Sequence, residues 1–403
     1  MEIPHELAGR QVVGETRRRE KMAQMVGLIA ERGPRIDEIA RAIGVHNETV
    51  RHWYKQLLSK GFAIQASCNF EHLGMRRVVA IVELGEIFSD CADTVFFSMG
   101  QLAYIGGYAK TKPDGFYIVS ASVPQDCLNQ WTDFMLDLKR IGVFKSIESV
   151  KLDWVRNTPM RAEYFNFNDG NWEFDWNAKR VDTGSAEIGS GTKQKYDGID
   201  LKIMEQLQIN ANMPLTEICK KVGAKNYKTF AWHYKAHVIN RKMIKSYRVN
   251  WTGMKYGVGP DESVRKKRKY AWLDVIADGL SESEKLSLMA SLNQTPFVWM
   301  EGSGARSYFA RMVLPAKEMS ELLKLLETAS SPIKGKVKWY RMDIAHALSF
   351  SIPTHYYDED SGRWSFNRRE VFESFVALNK VRHEVTFGNL KMADMVTTPR
   401  SNS

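Results

Sequence analysis

Apolar residues recur at three- and four-residue spacing through 18–31, where Met22, Met25, Val26 and Ile29 share one helical face. Gly33-Pro34 ends that run. Ile36, Ile39, Ala40 and Ile43 mark a short second helix over 36–43, and Gly44 makes a turn. Residues 47–60 predict a third helix, with Val50, Tyr54 and Leu57 or Leu58 inward and Gly61 at its end. The period then drops to two, and 62–70 and 76–84 alternate like strands. Beyond them the pattern predicts a strand at 77–85, a helix at 90–100, and strands at 102–109 and 116–123 joined through Lys112-Pro113-Asp114-Gly115. A helix at 125–140 and a strand at 143–155 follow. That β-α-β-β-α-β order is the ferredoxin-like arrangement.

The whole pattern then repeats. Helices are predicted at 199–207, 215–222 and 226–240, with Gly223 at the turn, and 242–250 alternates like a wing strand. A strand (271–277), a helix (282–291), two strands (297–301 and 307–313), a helix (316–329) and a strand (334–345) complete the second copy. A period of about 180 residues is too long for a solenoid and marks a duplicated two-domain unit. Each copy closes on an aromatic hairpin signal, YFNFNDGNWEFDW at 164–176 and HYYDEDSGRWSF at 355–366. Residues 180–195 are Gly/Ser-rich and read as a linker.

The expected fold class is therefore α+β, with two winged helix-turn-helix domains and two ferredoxin-like domains in tandem. The expected boundaries are 1–76 and 77–178 for the first copy, a linker at 179–195, 196–256 and 257–366 for the second copy, and a helix and polar tail over 367–403.

The duplication is plainest where GVHNETVRHWYKQLLSKG (44–61) returns as GAKNYKTFAWHYKAHVINRK (223–242). A glycine turn between two short helices is the helix-turn-helix pattern, whose second helix enters the DNA major groove. In the first copy the outward residues are Asn47, Glu48, Arg51, His52 and Lys55. Arg51 has the geometry for guanine and Asn47 for adenine. In the second copy the outward set is Asn226, Tyr227, Lys228, Trp232 and Lys235. Trp53 and Trp232 can each be core, and Trp232 can equally stand on the contact face.

Charge sharpens this picture. The 403-residue chain carries a formal net charge of +10. Residues 196–270 hold 16 Lys/Arg against 6 Asp/Glu, which is the whole excess. Arg241, Lys242, Lys245 and Arg248 fall on the expected wing, and Arg265, Lys266, Lys267, Arg268 and Lys269 follow. Such a run suits a polyanion, either nucleic acid or an anionic membrane, or else a merely solvated surface. Cys68, Cys91, Cys127 and Cys219 stand alone, so neither a cysteine metal site nor a disulfide framework is expected. No cofactor or metal is expected. No apolar run is long enough to span a bilayer, and the N-terminus lacks a signal-peptide core, so a cytoplasmic, nucleoid-associated location is expected.

Three stretches carry a resemblance: IDEIARAIGVHNETVRHWYKQLLSKGF (36–62), VVAIVELG (78–85) and GVFKSIESVKL (142–152). The unit resembles the feast/famine (Lrp/AsnC-type) transcriptional regulators, a winged helix-turn-helix followed by a ferredoxin-like RAM domain. The resemblance implies double-stranded DNA as partner and a small-molecule effector. It also implies dimerisation through the RAM-like domains, as a homodimer or as an intrachain pseudo-dimer. The family's effector loop carries a Gly-aromatic-Asp pattern. Here GGYAKTKPDGF (106–116) and EGSGARSYF (301–309) depart from it, leaving Gly106, Gly107, Gly302 and Gly304 as effector contacts or as tight turns. Two units in one chain would let it read both halves of a DNA site.

The leading expectation is a DNA-binding regulator and not an enzyme. An architectural DNA binder of low sequence specificity is one alternative. The other is a second resemblance, to the sirohaem decarboxylases, in which the same unit occurs fused or paired. That resemblance implies an anionic tetrapyrrole held by His and Arg. The sequence offers His346 and His355 near the last strand and no histidine between 73 and 232, so no clustered His/Arg pocket stands out. No P-loop, HExxH, GxGxxG or nucleophile elbow is present.

Overall fold

The computed structural model describes residues 5–178, 192–252 and 270–383. Most of the predicted linker, the basic run 265–269 and the tail beyond 383 lie outside the described residues.

The first half begins with α1 (His5–Arg32), α2 (Ile36–Ile43) and α3 (Asn47–Ser59). α1 buries Met22, Met25, Val26 and Ile29, the stripe its spacing predicts. α2 stops where Gly44 turns left-handed at φ 63°, a conformation that suits glycine. α3 is capped by His46, whose side chain accepts from the Glu48 N–H. It buries Val50, Trp53 and Leu57, so Trp53 is core and Tyr54 only half-buried. Next come β1 (Ala63–Cys68), β2 (Met75–Leu84), α4 (Ala92–Leu102), β3 (Ile105–Lys112), β4 (Tyr117–Pro124), α5 (Leu128–Arg140), β5 (Phe144–Leu152) and β6 (Trp154–Asn157). The expected final strand is thus two strands.

The second half runs α6 (Gly198–Ile209), α7 (Leu215–Lys221) and α8 (Tyr227–Trp232), then a π-helical segment, His233–Ile239, and β7 (Ile244–Asn250). β8 (Tyr270–Ala277), α9 (Glu282–Asn293), β9 (Val298–Ser303), β10 (Tyr308–Pro315), α10 (Met319–Ser330) and β11 (Val337–Ser349) follow. β12 (Tyr357–Asp358) and β13 (Arg363–Trp364) form the second aromatic hairpin, and α11 (Arg368–His383) ends the described chain. The first hairpin is reduced to a single bridge, Phe165 to Trp172.

The fold is α+β, dominated by one nine-stranded sheet in the order β5-β2-β4-β3-β11-β8-β10-β9-β6. All its described pairings are antiparallel. Four strands of each half follow the same relative order, as in a ferredoxin-like unit, and β6 of the first half is the ninth. β11 welds the halves: Val337–Arg341 pairs with β8, the register shifts between Asp343 and Ala347, and Ala347–Ser349 pairs with β3. β6 crosses from the first half to close the far edge on β9.

Strand alternation separates the two faces of this sheet. Val78, Ala80 and Val82 join the core that includes α4 and α5. Val79, Ile81, Ile118, Ile276 and Phe309 form a second apolar cluster on the opposite face. Arg77, Trp272, Asp274 and Arg311 have the parity of that second face. A two-stranded sheet, β1 paired with β7, lies over it.

Candidate functional site

Between the β1–β7 ribbon and the open face of the large sheet is a cavity of about 460 Å³. That is within the usual size range of small-molecule sites. Three arginines line it: Arg77 from β2, Arg248 from β7 and Arg311 from β10. Trp154, Trp272, Phe70 and Phe350 supply aromatic wall, and Ser120 and Ser122 supply hydroxyls.

The three guanidiniums are held differently. Arg311 is locked by Asp274, a fully buried carboxylate, through Nε to Oδ1 at 2.8 Å and Nη2 to Oδ2 at 2.7 Å. Burial disfavours the Arg311 charge, but the Asp274 charge and hydrogen bonds outweigh it and raise its pKa. Arg77 donates from Nη1 to Ser122 Oγ at 2.6 Å, and Arg248 donates from Nη2 to Gln65 Oε1. Neither forms an ion pair among the described residues, and the Nε of each is a buried donor without an acceptor. The Trp272 indole N–H is a third such donor. Burial pushes the Arg77 pKa down to about 10, helped by the charges of Arg311 and then Arg248. Burial, then Arg311, pushes Arg248 down to about 10 as well. Buried donors without acceptors and cations without counter-ions are costly. This cavity is therefore built for an anion. The acidic lining residues Glu71 and Asp153 do not neutralise it, because they pair with Lys245 at 3.5 Å and Arg76 at 3.3 Å.

Gly106 and Gly107 line this cavity. A Cβ on Gly106 would lie 2.9 Å from Arg77 Nη1, so glycine leaves room for the guanidinium. Gly302 and Gly304 line no part of it. A Cβ on Gly302 would meet the Trp154 carbonyl at 2.8 Å and one on Gly304 the Lys151 carbonyl at 2.1 Å, so both admit the crossing β5–β6 segment. Gly304 also borders a neighbouring cavity with Lys285 and Trp154.

Of the residues expected to contact DNA, some are engaged within the protein and others are exposed. In α3, Asn47 donates to Asp37 Oδ1 at 2.8 Å and Arg51 pairs with Glu48, while His52 and Lys55 are exposed. Asn226 caps α8, accepting from the Lys228 and Thr229 N–H groups at 2.9 and 3.3 Å. Tyr227, Lys228, Trp232 and Lys235 are exposed. On the expected wing, Arg241 donates to the Lys195 carbonyl, and Lys245 binds Glu71 and the Val155 carbonyl. Lys242 is exposed, whereas Arg248 belongs to the cavity. The wing residues are placed by the β1–β7 pairing. Each wing strand spends its hydrogen-bonding edge on the other, and Gln65 faces Arg248 across the register.

No family model matches the sequence, and no curated protein matches it. Among solved structures, the chain is similar to the siroheme decarboxylase NirDL, with a TM-score of 0.49 and 12% identity over 90% of this chain and 99% of that one. It is similar to the same enzyme in complex with an iron-uroporphyrin III analogue, with a TM-score of 0.47 and 12% identity over 86% and 93%. An anthrone oxidase-like protein matches with a TM-score of 0.33 and 7% identity over 72% and 98%. The leading expectation, an Lrp/AsnC-type transcription regulator that binds double-stranded DNA and is not an enzyme, is corrected to this extent: NirDL is named as an enzyme, and it is seen with an iron-uroporphyrin III analogue rather than DNA. No clustered His/Arg pocket stood out in the sequence; the cavity gathers three arginines and has no histidine in its lining. Arg77, Asp274 and Arg311 were missed, although Asp274 and Arg311 are charges in the middle of apolar strands, in WLDVIA and FARMVL, and Arg77 opens the apolar run RRVVAIV. Among the described residues no helix is long and apolar enough to cross a membrane.

Proposed function

We propose that the chain is an enzyme that binds a polycarboxylated tetrapyrrole in the arginine cavity and removes carboxyl groups from it, a siroheme-decarboxylase-like activity. The observation that carries this reading is the pair Arg77 and Arg248, two cations without a counter-ion among the described residues, on the wall of a cavity with aromatic sides. Guanidiniums match carboxylates in geometry as well as charge. Three of them, from three different strands, can hold a flat polyanion by several points of its rim, while Trp272 and Phe350 offer apolar surface to its faces. In the reaction the bond from carbon to the lost carboxyl breaks, CO₂ leaves, and the electron pair left on carbon takes a proton. The arginines keep the remaining carboxylates in place and so orient the one that is lost.

We further propose that residues 1–76 and 196–256 are winged helix units and that 77–178 and 257–366 are ferredoxin-like units. In this reading the two wings form a roof over the cavity rather than a reader of DNA. The β1–β7 pairing and the matching strand order of the halves support it.

The test is incubation of the purified chain with iron-uroporphyrin III or sirohaem. A shift of the porphyrin absorption that Arg248→Met abolishes is expected, together with products lighter by CO₂ in mass spectra. Absence of any spectral shift would sink the tetrapyrrole reading. A shift without mass loss would leave a binding protein.

A further inference from the structure

His46 caps the helix after the first glycine turn and Asn226 the helix after the second, so cap to tyrosine is eight positions in both copies and the two helices align residue for residue. Turns of π-helix are rare and concentrate at functional sites. The segment His233–Ile239 is π-helical. Counting back and forward from the shared Tyr-Lys pair (54–55 and 234–235), His233 stands where the first copy has Trp53, and His237 where it has Leu57. Both first-copy residues are buried and apolar. The helical unit can therefore be built with apolar side chains at these positions, yet the second copy places two imidazoles there.

Both imidazoles face one carboxylate. His233 Nδ1 lies 3.0 Å from Asp200 Oδ1, and His237 Nδ1 lies 2.9 Å from Asp200 Oδ2. Asp200, on the first turn of α6, is fully buried. Asp197, the cap residue of α6, brings its Oδ2 to 3.5 Å from His233 Nδ1. One ligand atom from each of the four residues lies within 4.8 Å of all the others. Ligands bound at about 2.0–2.2 Å to a tetrahedral ion sit roughly 3.3–3.5 Å apart, so these separations need only small adjustment. Trp232 covers the cluster, its ring 5.2 Å from His233 and 4.6 Å from His237.

We propose that Asp197, Asp200, His233 and His237 form a binding site for a divalent transition-metal ion, with zinc the best match. Two imidazoles and two carboxylates suit zinc, and four protein ligands describe a closed, structural site rather than a catalytic one. The ion clamps α6 to the π turn. The far end of α6, at Gln208 and Ile209, lines the arginine cavity, so the clamp steadies one of its walls.

The experiment uses the full chain, stripped with a chelator and titrated with Zn²⁺ or Co²⁺. The expected result is about one ion per chain, a visible Co²⁺ spectrum of tetrahedral type, and a rise in Tm on adding metal. The double substitution His233→Trp with His237→Leu installs the first copy's residues. It is expected to weaken Co²⁺ binding at least tenfold and remove the spectrum. Should that variant fail to fold, His237→Gln alone provides the same readout. The proposal is overturned if the stripped wild-type chain takes up no ion, or if a folded variant keeps the same stoichiometry and spectrum. Porphyrin binding plays no part in this readout, so the two readings stand or fall separately.

Discussion

Asp274 grips Arg311 by both of its carboxylate oxygens, at 2.8 and 2.7 Å, and no other arginine of the cavity has such a partner. The three cations consequently differ in what their loss would do to the fold. Asp274→Asn leaves the Arg311 charge buried and unpaired. Breaking one side of a buried pair costs about 3–5 kcal/mol. A denaturant titration should show that loss as a lower midpoint with little change in slope; an unchanged midpoint would mean that water already screens the pair.

Arg77 and Arg248 behave in the opposite sense. Replacing either with Met removes a desolvated charge and a buried donor that lacks an acceptor. Stability should stay level or rise by about 1 kcal/mol, while affinity for a polycarboxylated porphyrin falls. Each lost charge-assisted contact costs about 1.5–3 kcal/mol, or roughly ten- to a hundredfold in Kd. Thermal melts beside absorption titrations of the same variants separate the two effects. A variant that loses stability and keeps affinity would show that these arginines serve the fold.

How much of this was legible in the sequence depends on whether the information was local. The helix α2 and the ends of α3 follow from periodicity and caps, and the strands fall within a few residues of their predicted places. The site is different because it arises from pairings across large sequence separations. Gln65 meets Arg248, and Arg77, Arg248 and Arg311 converge, only after β1 pairs with β7 and β11 joins the halves. Arg248 was read by its neighbours Arg241, Lys242 and Lys245 as one of a phosphate-binding row, but strand alternation sends it inward. A charge midway along an apolar strand was the available signal, and in WLDVIA and FARMVL it was present.

Gly106 offers a gentle test of the cavity. A methyl group there would lie 2.9 Å from Arg77 Nη1, the far end of a flexible side chain, and 3.6 Å from the Ser120 carbonyl. Gly106→Ala should therefore move the guanidinium without rebuilding the strand. The expected outcome is a Tm within a few degrees of wild type and a porphyrin affinity lowered severalfold. A large drop in Tm with affinity intact would assign Gly106 to the backbone alone.

Alkaline pH should separate ligand binding from folding. Arg77 and Arg248 are held at about 10, below their ordinary value of 12.5, so their charge disfavours the folded state and leaves it early. As pH rises through 10, affinity for a polycarboxylate should fall, and the fold should gain from the same deprotonation until the unfolded arginines also lose their protons. Tyr196, Tyr270 and Tyr356 act oppositely, because burial raises each from 10.0 to about 12. A raised pKa gives stability that is complete below pH 10 and lost as pH climbs through about 12, since the unfolded chain releases those protons first. Phenolate absorbance should show these tyrosines titrating late and together with unfolding. Porphyrin binding should weaken before far-ultraviolet circular dichroism reports unfolding; if both change at one pH, affinity is lost through unfolding and the arginine charge is not what holds the ligand.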